Sequence, residues 1–233
     1  MHKTELHPEI VEEILKKRGK LHVFDEIDPA KTALVVVDMQ VAFVESGKPS
    51  EVSHAKDIVP NINRLAAGLR ATGGTVVWIV STFGENIATE WSSFIGGTYK
   101  KEHAERVVAQ LQECADGHRL WPDMDRRPGD MTVEKNRFSA FLPGASDLAE
   151  QLRERGVENV LITGTLTNVC CESSARDAMM RNFNVVMVSD GNATYSDVLH
   201  NASLNSLAIT FVDVMTTDEV LTRLTGSVAD AAE

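Results

Sequence analysis

Short apolar runs alternate along the chain with segments in which apolar residues recur at helical spacing. The first run, Ala33 to Val37, is unbroken and rich in β-branched residues, which is typical of a strand buried on both faces of a parallel sheet. Further runs of this kind predict strands at Thr75 to Val80, Met131 to Val133, Asn159 to Thr163, Asn184 to Val188 and Thr210 to Val214. Helical periodicity predicts helices at Ile58 to Ala71, Ala145 to Arg155, Cys170 to Arg181, Asp197 to Ala208 and Thr217 to Leu224.

This alternation predicts an α/β fold, namely a three-layer α/β/α domain around a six-stranded, mostly parallel, doubly wound sheet of Rossmann-like type. In such folds ligands bind beyond the carboxyl ends of the strands, where the winding reverses. Residues with ionisable or nucleophilic side chains that follow a predicted strand are therefore the first candidates for a functional site. The pattern does not fix the strand order.

The pattern divides the chain into an N-terminal amphipathic arm, residues 1–30, and one α/β domain, residues 31–233. In the arm, Ile10, Val11, Ile14 and Leu15 fall on one helical face. Such a face can pack on its own domain or contact a neighbouring subunit. We expect a homo-oligomer, a dimer or tetramer, because the arm and an aromatic-rich loop offer apolar surface beyond what one sheet covers.

That loop is the segment Thr82 to Pro128, where the pattern is weaker. It contains several aromatic residues among polar ones and one possible helix at Ala104 to Cys114. Two interpretations stay open, a lid over a ligand site and a surface loop that its aromatic residues anchor.

Composition narrows the function classes. The 233 residues have a net charge of -11, which argues against nucleic acid as a partner because phosphate binding needs clustered Lys and Arg. No apolar run approaches the roughly 18 residues that span a bilayer, and the acidic start is unlike a signal peptide, so we expect a cytoplasmic protein without membrane contact. The cysteines, Cys114, Cys170 and Cys171, are expected to be reduced because an adjacent pair cannot easily form a bridge.

Three residues with ionisable or nucleophilic side chains follow predicted strands. Asp38 comes directly after the first strand, Lys135 follows the third, and Cys170 follows a tight turn after the fourth, at the start of a predicted helix. Each alone has an ordinary explanation, since the aspartate can cap a loop, the lysine can be solvated and the cysteine can pack. Together they suggest a nucleophile at a helix N-terminus, where the helix dipole would lower the thiol pKa.

The segments TALVVVDMQ, EKNRFSAF and GTLTNVCCESSARDA resemble the three motifs of the isochorismatase-like cysteine hydrolases, in the same order and each after a predicted strand. The resemblance covers roughly residues 31 to 215. It implies an Asp38, Lys135 and Cys170 triad that needs no cofactor. It also implies a cis peptide bond between Thr165 and Leu166, and an oxyanion hole formed by the N–H groups of Leu166 and Cys170.

The resemblance also bears on substrate and metal. NVCCES and RFSAF are most similar to ureidoacrylate amidohydrolases, although Phe138 replaces a tyrosine expected there, so a small amide or ureido substrate is implied. We expect the substrate pocket to include Gln40, Phe43, Phe83, Trp91 and Phe138. The nicotinamidase branch has an Asp and His metal site after the second strand, where this chain has Ser81-Thr82-Phe83-Gly84, so we predict no metal. The residues His54, His103, His118 and His200 are interpreted as scattered surface residues.

Successive helical residues point about 100° apart, so Cys170 and Cys171 cannot both face Asp38. The family places its nucleophile six residues after the glycine that ends the strand, which selects Cys170. The function implied is cysteine-dependent cleavage of a C–N bond through a covalent thioester-type intermediate. Two alternatives stay open, an isochorismatase-type vinyl-ether hydrolase that works without the cysteine, and a catalytically idle thiol protein with a binding or redox role.

Overall fold

The computed structural model describes residues 1–230, and its centre is a six-stranded sheet. The strands are β1 Thr32–Val37, β2 Thr75–Ser81, β3 Met131–Lys135, β4 Asn159–Thr165, β5 Asn184–Ala193 and β6 Asp213–Met215. They lie in the order β3-β2-β1-β4-β5-β6, and each neighbouring pair is parallel. The predicted doubly wound α/β fold is confirmed, and the winding reverses between β1 and β4.

Helices cover both faces of the sheet. They are α1 Pro8–Arg18, α2 Val41–Val44, α3 Ala55–Ala71, α4 Ile87–Glu90, α5 Ser92–Ile95, α6 Lys101–Gln110, α7 Leu148–Glu154, α8 Glu172–Met180, α9 Asp197–Ala208 and α10 Thr217–Asp230. Successive side chains of β1 enter opposite layers, because side chains alternate along a strand. Leu34 and Val36 pack with α3 and α10, whereas Val35 and Val37 pack with α7, α8 and α9. Burial on both faces accounts for the unbroken apolar run of β1.

Several predicted boundaries differ from the structure. The last strand is Asp213–Met215 and not Thr210 to Val214, because the N–H groups of Thr210 and Phe211 both donate to the carbonyl of Leu207 and close a turn after α9. The helix predicted from Cys170 is preceded by a π-helical turn, Thr167–Cys171, and α8 starts only at Glu172. The turn that contains Cys170 therefore has a wider backbone than an α-helix.

The N-terminal arm packs on its own domain. Ile14 on α1 is 1% exposed, and the Arg18 guanidinium donates to the carbonyl of Ala208 at the end of α9 over 2.8 Å. Leu15, which the periodicity placed on the same face, is 45% exposed and points away from the domain. Within residues 1–230, no helix combines the length and apolar composition needed to cross a lipid bilayer.

The interpretation of the histidines as scattered surface residues is wrong for His200. His200 is fully buried, and its ring stacks on that of His2 with centroids 4.5 Å apart. The ring of His54 contacts the ring of His2. Burial, together with the nearby His2, lowers the pKa of His200 to about 4. His103 and His118 are half-buried. Helical periodicity did not reveal this cluster because its members come from three distant segments of the chain.

Gly164 fixes the close approach of β4 to β1. Its φ is 112°, and a β-carbon on it would lie 2.0 Å from the carbonyl oxygen of Val37. No other residue fits without moving the end of β1, which is where Asp38 lies.

We predict that Gly164→Ala lowers the free energy of unfolding by at least about 3 kcal/mol, since left-handed strain and a backbone clash add. Gly47→Ala is the matched control, because Gly47 has a φ of 87° with nothing within 4 Å of the added carbon. The control should cost only about 1 to 2 kcal/mol. Urea denaturation followed by circular dichroism measures both, and equal losses would contradict this account.

Candidate active site

Asp38 turns the chain sharply where β1 ends. Its φ of 51° is left-handed, a conformation that Asp tolerates better than most residues. Two hydrogen bonds to its backbone hold it there. The Asp38 N–H donates to the carbonyl of Ile79, and the Thr165 hydroxyl donates to the carbonyl of Asp38. The carboxylate is 0% exposed and lies at the carboxyl edge of the sheet, next to the point where the winding reverses.

Lys135 reaches Asp38 across an intervening strand. It is the last residue of β3, and β2 separates it from β1. The residue of β2 in register with it is Ser81, whose small side chain leaves room for the lysine stem. The Lys135 ammonium lies 2.8 Å from Asp38 Oδ2, so two motifs far apart in sequence form one ion pair.

Every polar atom of this pair has a partner. The Lys135 ammonium donates to Asp38 Oδ2 at 2.8 Å, to Ser81 Oγ at 2.7 Å and to the carbonyl of Arg137 at 3.1 Å, which matches its three N–H bonds. The Ser81 hydroxyl donates in turn to Asp38 Oδ1 at 2.9 Å. Burial alone would lower the pKa of Lys135, but the interactions with its neighbours Asp38 and Cys170 outweigh burial and raise it. The lysine is therefore protonated.

Ser81 is the member of this network that the sequence did not single out. Its backbone is held by Gln40, whose side-chain amide accepts from the Ser81 N–H at 2.9 Å and donates to the Ser81 carbonyl at 3.2 Å. The same amide donates to the carbonyl of His118. Gln40 is 0% exposed, so the expectation that it lines a substrate pocket is wrong, because its polar atoms are used to hold the end of β2.

Cys170 completes the cluster. Its Sγ lies 3.7 Å from the Lys135 ammonium, as the fourth neighbour of that group. Burial raises the pKa of Cys170 to about 12, with Asp38 adding to the rise and Lys135 opposing it. The net shift is therefore opposite in direction to the lowering expected from a helix N-terminus. The resting residue is a thiol beside a carboxylate, and its ionisation requires that a base take the proton.

The other cysteines lie in different surroundings. Cys171 is 0% exposed, its Sγ faces the carbonyl of Thr163 at 3.8 Å, and burial raises its pKa well above the usual value. Cys114 is exposed. All three are free thiols, as expected from their spacing. The peptide bond between Thr165 and Leu166, just before Cys170, is cis.

A cavity of about 330 Å³ opens above the Cys170 thiol. Of the residues expected in the substrate pocket, Phe43, Phe83, Trp91 and Phe138 line it. The sequence reasoning missed Tyr99 and Tyr195, which also line it. The aromatic-rich segment that begins at Thr82 thus forms part of the cavity wall.

No group of three or more His, Cys, Asp or Glu side chains in the described part of the chain could hold a metal ion. At the end of β2, where a related branch has metal ligands, Ser81 belongs to the polar network and the Thr82 hydroxyl hydrogen-bonds the His118 ring at 2.7 Å. The polar side-chain groups at this position are thus the hydroxyls of Ser81 and Thr82 and the imidazole of His118.

Comparison with known proteins identifies the family of the chain. The model of the isochorismatase domain matches residues 32–219. The chain belongs to the isochorismatase family. It is therefore an isochorismatase-like hydrolase, as the three motifs implied.

Several relatives of this chain have names that describe amide hydrolases. Nicotinamidase 3 of Arabidopsis thaliana is 39% identical over 202 residues, covering 84% of this chain and 89% of the relative. A ureidoacrylate amidohydrolase of Pseudomonas savastanoi is 29% identical over 207 residues, covering 83% and 84%. The crystal structure of a cysteine hydrolase from Pseudomonas syringae pv. phaseolicola has a TM-score of 0.73 at 28% identity, covering 86% of this chain and 95% of that one.

We predict that Lys135→Met in this isochorismatase-family protein lowers the free energy of unfolding by about 3 to 5 kcal/mol, because it leaves Asp38 buried without its partner. Lys31→Met is the control, since the Lys31 and Glu158 side chains form an ion pair at 2.9 Å that is about half exposed. That substitution should cost less than about 1 kcal/mol.

Adding Asp38→Asn to Lys135→Met should restore part of the lost stability, because the unpaired charge is removed and Asn tolerates the left-handed backbone. Urea denaturation of the four proteins at neutral pH measures the effect. A double variant less stable than Lys135→Met alone would contradict the argument.

Proposed function

We propose that the chain is a cysteine-dependent amidohydrolase that cleaves a C–N bond in a small amide or ureido compound, with Asp38, Lys135 and Cys170 as its catalytic residues. The observation that supports this most is the buried cluster in which a thiol, a carboxylate and an ammonium lie together at the floor of an apolar cavity. A buried ion pair contributes little net stability, so a chemical role explains its presence better than a structural one.

In the first step Asp38 takes the proton of the Cys170 thiol while the sulfur attacks the carbonyl carbon of the substrate. Because burial raises the pKa of this thiol to about 12, proton transfer has to accompany the attack. The C–S bond forms and the carbonyl oxygen becomes an oxyanion. The N–H groups of Leu166 and Cys170 are proposed to stabilise that oxyanion as hydrogen-bond donors.

In the second step the tetrahedral intermediate collapses. The C–N bond breaks and Asp38 returns the proton to the leaving nitrogen, which departs as an amine or ammonia. An amide substrate leaves a thioester on Cys170, and a ureido substrate leaves a thiocarbamate. Asp38 then takes a proton from water, whose oxygen attacks the acyl carbon. The C–S bond breaks, Asp38 returns that proton to the sulfur, and the Cys170 thiol is regenerated as the second product leaves.

Lys135 remains protonated throughout this cycle. Its contacts to Asp38, to Ser81 and to the Arg137 carbonyl hold the carboxylate in place, and its charge offsets the negative charge that develops beside it. Ser81 fixes the second carboxylate oxygen. The carboxylate therefore has one orientation in which to exchange a proton with Cys170.

The named relatives support amide chemistry, since one is a nicotinamidase and another a ureidoacrylate amidohydrolase. A vinyl-ether hydrolase of isochorismatase type would not need Cys170, and an idle thiol protein would turn over no amide. Cytoplasmic location and a homo-oligomeric assembly remain predictions.

We predict that Cys170→Ser lowers kcat/KM by about 10³-fold or more, because a hydroxyl is a far weaker acid than a thiol and Asp38 cannot activate it. Cys171→Ser is the matched control at the neighbouring position. It should leave kcat/KM within about tenfold and cost about 1 kcal/mol of stability. Ammonia release from a panel of small amides and ureides is the assay. Full activity of the Cys170 variant would refute the mechanism.

Alkylation tests the base independently of any substrate. In a Cys114→Ser background, which removes the exposed thiol, iodoacetamide should label Cys170 faster than Cys171. Asp38→Asn should slow that labelling, because the proton acceptor is lost. Peptide mapping by mass spectrometry identifies the labelled residue, and faster labelling of Cys171 would contradict the assignment.

We predict that EDTA leaves turnover unchanged, because the proposed steps use only side chains and backbone N–H groups. Turnover before and after dialysis against EDTA is the measurement. Loss of turnover that zinc or iron restores would show that the proposal omits a necessary metal.

Light scattering of the full chain should give the mass of a dimer or tetramer. The arm does not support this prediction, since its apolar face packs on its own domain, but the exposed side chains of Tyr195, Val198 and Leu199 near the start of α9 do. A monomer across the concentration range would overturn it.

A further inference from the structure

Two asparagine side chains fix the segment of residues 1–7 along α9. Asn201 Oδ1 accepts a hydrogen bond from the Glu5 N–H at 2.9 Å, and the Asn201 amide donates to the carbonyl of Lys3 at 2.9 Å. One turn further along α9, Asn205 Oδ1 accepts from the His7 N–H at 2.7 Å, and the Asn205 amide donates to the Glu5 carbonyl at 3.4 Å. Residues four apart lie on the same helical face, so these bonds set the register of the segment on α9.

His2, near the start of this segment, is buried against the chain that follows β5. It is 7% exposed. Its Nδ1 lies 2.8 Å from Asp197 Oδ1, and its Nε2 accepts a hydrogen bond from the Thr194 N–H at 3.0 Å. A ring nitrogen that accepts has no proton, so the neutral ring has its proton on Nδ1 and donates from there to Asp197. His2 thus binds two residues outside the segment through two different atoms.

Thr194 connects His2 to the turn that contains Cys170. The Thr194 hydroxyl donates to Asn168 Oδ1 at 2.6 Å, and Asn168 lies in the π-helical turn Thr167–Cys171. Thr194 is 0% exposed, so its N–H and hydroxyl depend on protein partners. A continuous series of hydrogen bonds therefore runs from His2, through one buried residue, to a position two residues before the thiol.

The turn itself has an unusual backbone. The N–H groups of Val169 and Cys171 both donate to the single carbonyl of Leu166, at 3.0 and 3.2 Å. A π-helical turn is rare, and rare backbone geometry needs support from the structure around it. The hydrogen bond from Thr194 to Asn168 is support of this kind.

His200 supports the same turn by a separate contact. Its Nδ1 lies 2.9 Å from the Thr167 hydroxyl, and its Nε2 lies 3.3 Å from the Thr4 hydroxyl. Its ring also stacks on that of His2. Both ring nitrogens of His200 have partners other than His2, so His200 can stay in place when His2 is substituted. The contribution of His2 can therefore be measured separately.

We infer that His2 is a positioning residue, which fixes the turn that presents Cys170 to Asp38 and Lys135 by way of Thr194 and Asn168. Its effect on catalysis rests on the proposed cysteine-dependent function. An apolar side chain could fill the space of the His2 ring, but it would leave the Thr194 N–H buried without an acceptor. Because proton transfer from the thiol depends on its placement beside Asp38, a displaced turn should lower kcat.

The test compares His2→Asn with His2→Gln in the full chain. Gln can place an amide oxygen where the His2 Nε2 lies and accept from Thr194, whereas Asn places its amide at the Nδ1 position and reaches only Asp197. Both variants lose the ring, so the loss of packing is matched. Hydrogen exchange followed by mass spectrometry reports on the peptide of residues 166–172, whose amides are protected only while the turn is formed. Ammonia release from nicotinamide and from ureidoacrylate gives kcat and KM, with Cys170→Ser as the blank.

We expect the amides of this peptide to exchange about tenfold faster in His2→Asn than in wild type, while peptides from β1 and β4 keep the wild-type rate. His2→Gln should stay within about threefold of wild type. For an amide that is turned over, kcat should fall about tenfold in His2→Asn at a KM within about threefold of wild type.

Thr194→Val provides a second variant that does not alter the segment of residues 1–7. It keeps the shape of the side chain and removes the hydroxyl that donates to Asn168. Since it interrupts the same series of hydrogen bonds, it should accelerate exchange in the same peptide, and the double variant with His2→Asn should be no faster than the faster single variant.

Unchanged exchange of the turn in His2→Asn, equal acceleration in His2→Asn and His2→Gln, or a kinetic loss confined to KM would overturn the inference. Wild-type turnover equal to that of Cys170→Ser on both amides would contradict the proposed function for these substrates. The exchange rates would still decide, in that case, whether His2 fixes the turn.

Discussion

The buried ion pair between Lys135 and Asp38 sets the requirements that the surrounding structure has to meet. The two side chains are 1% and 0% exposed, so each has lost its water and depends on protein partners. Those partners are Ser81, which contacts both, and the Arg137 carbonyl, which accepts a hydrogen bond from the remaining ammonium N–H. Gln40 in turn fixes the backbone of Ser81. An extended polar network thus exists to keep one charged pair in place at the edge of the sheet.

The same pair determines how the thiol can react. Cys170 lies in the same dry surroundings, where burial disfavours a thiolate and raises the thiol pKa to about 12. A permanently ionised cysteine is therefore not the resting state. In the proposed mechanism Asp38 is the base, and Lys135, 3.7 Å from the sulfur, limits the cost of the negative charge that passes from carboxylate to sulfur. In that mechanism the nucleophile and the base act as one unit.

The fold and the three chemical residues could be predicted from the sequence because local signals specify them. An unbroken β-branched run such as Ala33 to Val37 has one common explanation, a doubly buried strand, and Asp38 follows it directly. Ser81 and Gln40 could not be identified in this way, because their roles depend on which strands become neighbours. With β2 placed between β1 and β3, a small residue in register with Lys135 becomes necessary, but only the strand order shows this. His200 was misplaced for a related reason, since the partners that bury it come from the arm and from the loop before α3.

The central claim is that Cys170 forms a covalent acyl intermediate with Asp38 as its base. Acid quenching during steady-state turnover of an amide substrate, followed by digestion and mass spectrometry, tests this directly. The account predicts a peptide containing Cys170 that is heavier by the mass of the acyl group, and a far smaller amount of it in Asp38→Asn. Sustained turnover with no acylated peptide, or an acyl group found on Cys171 or Cys114, would contradict it.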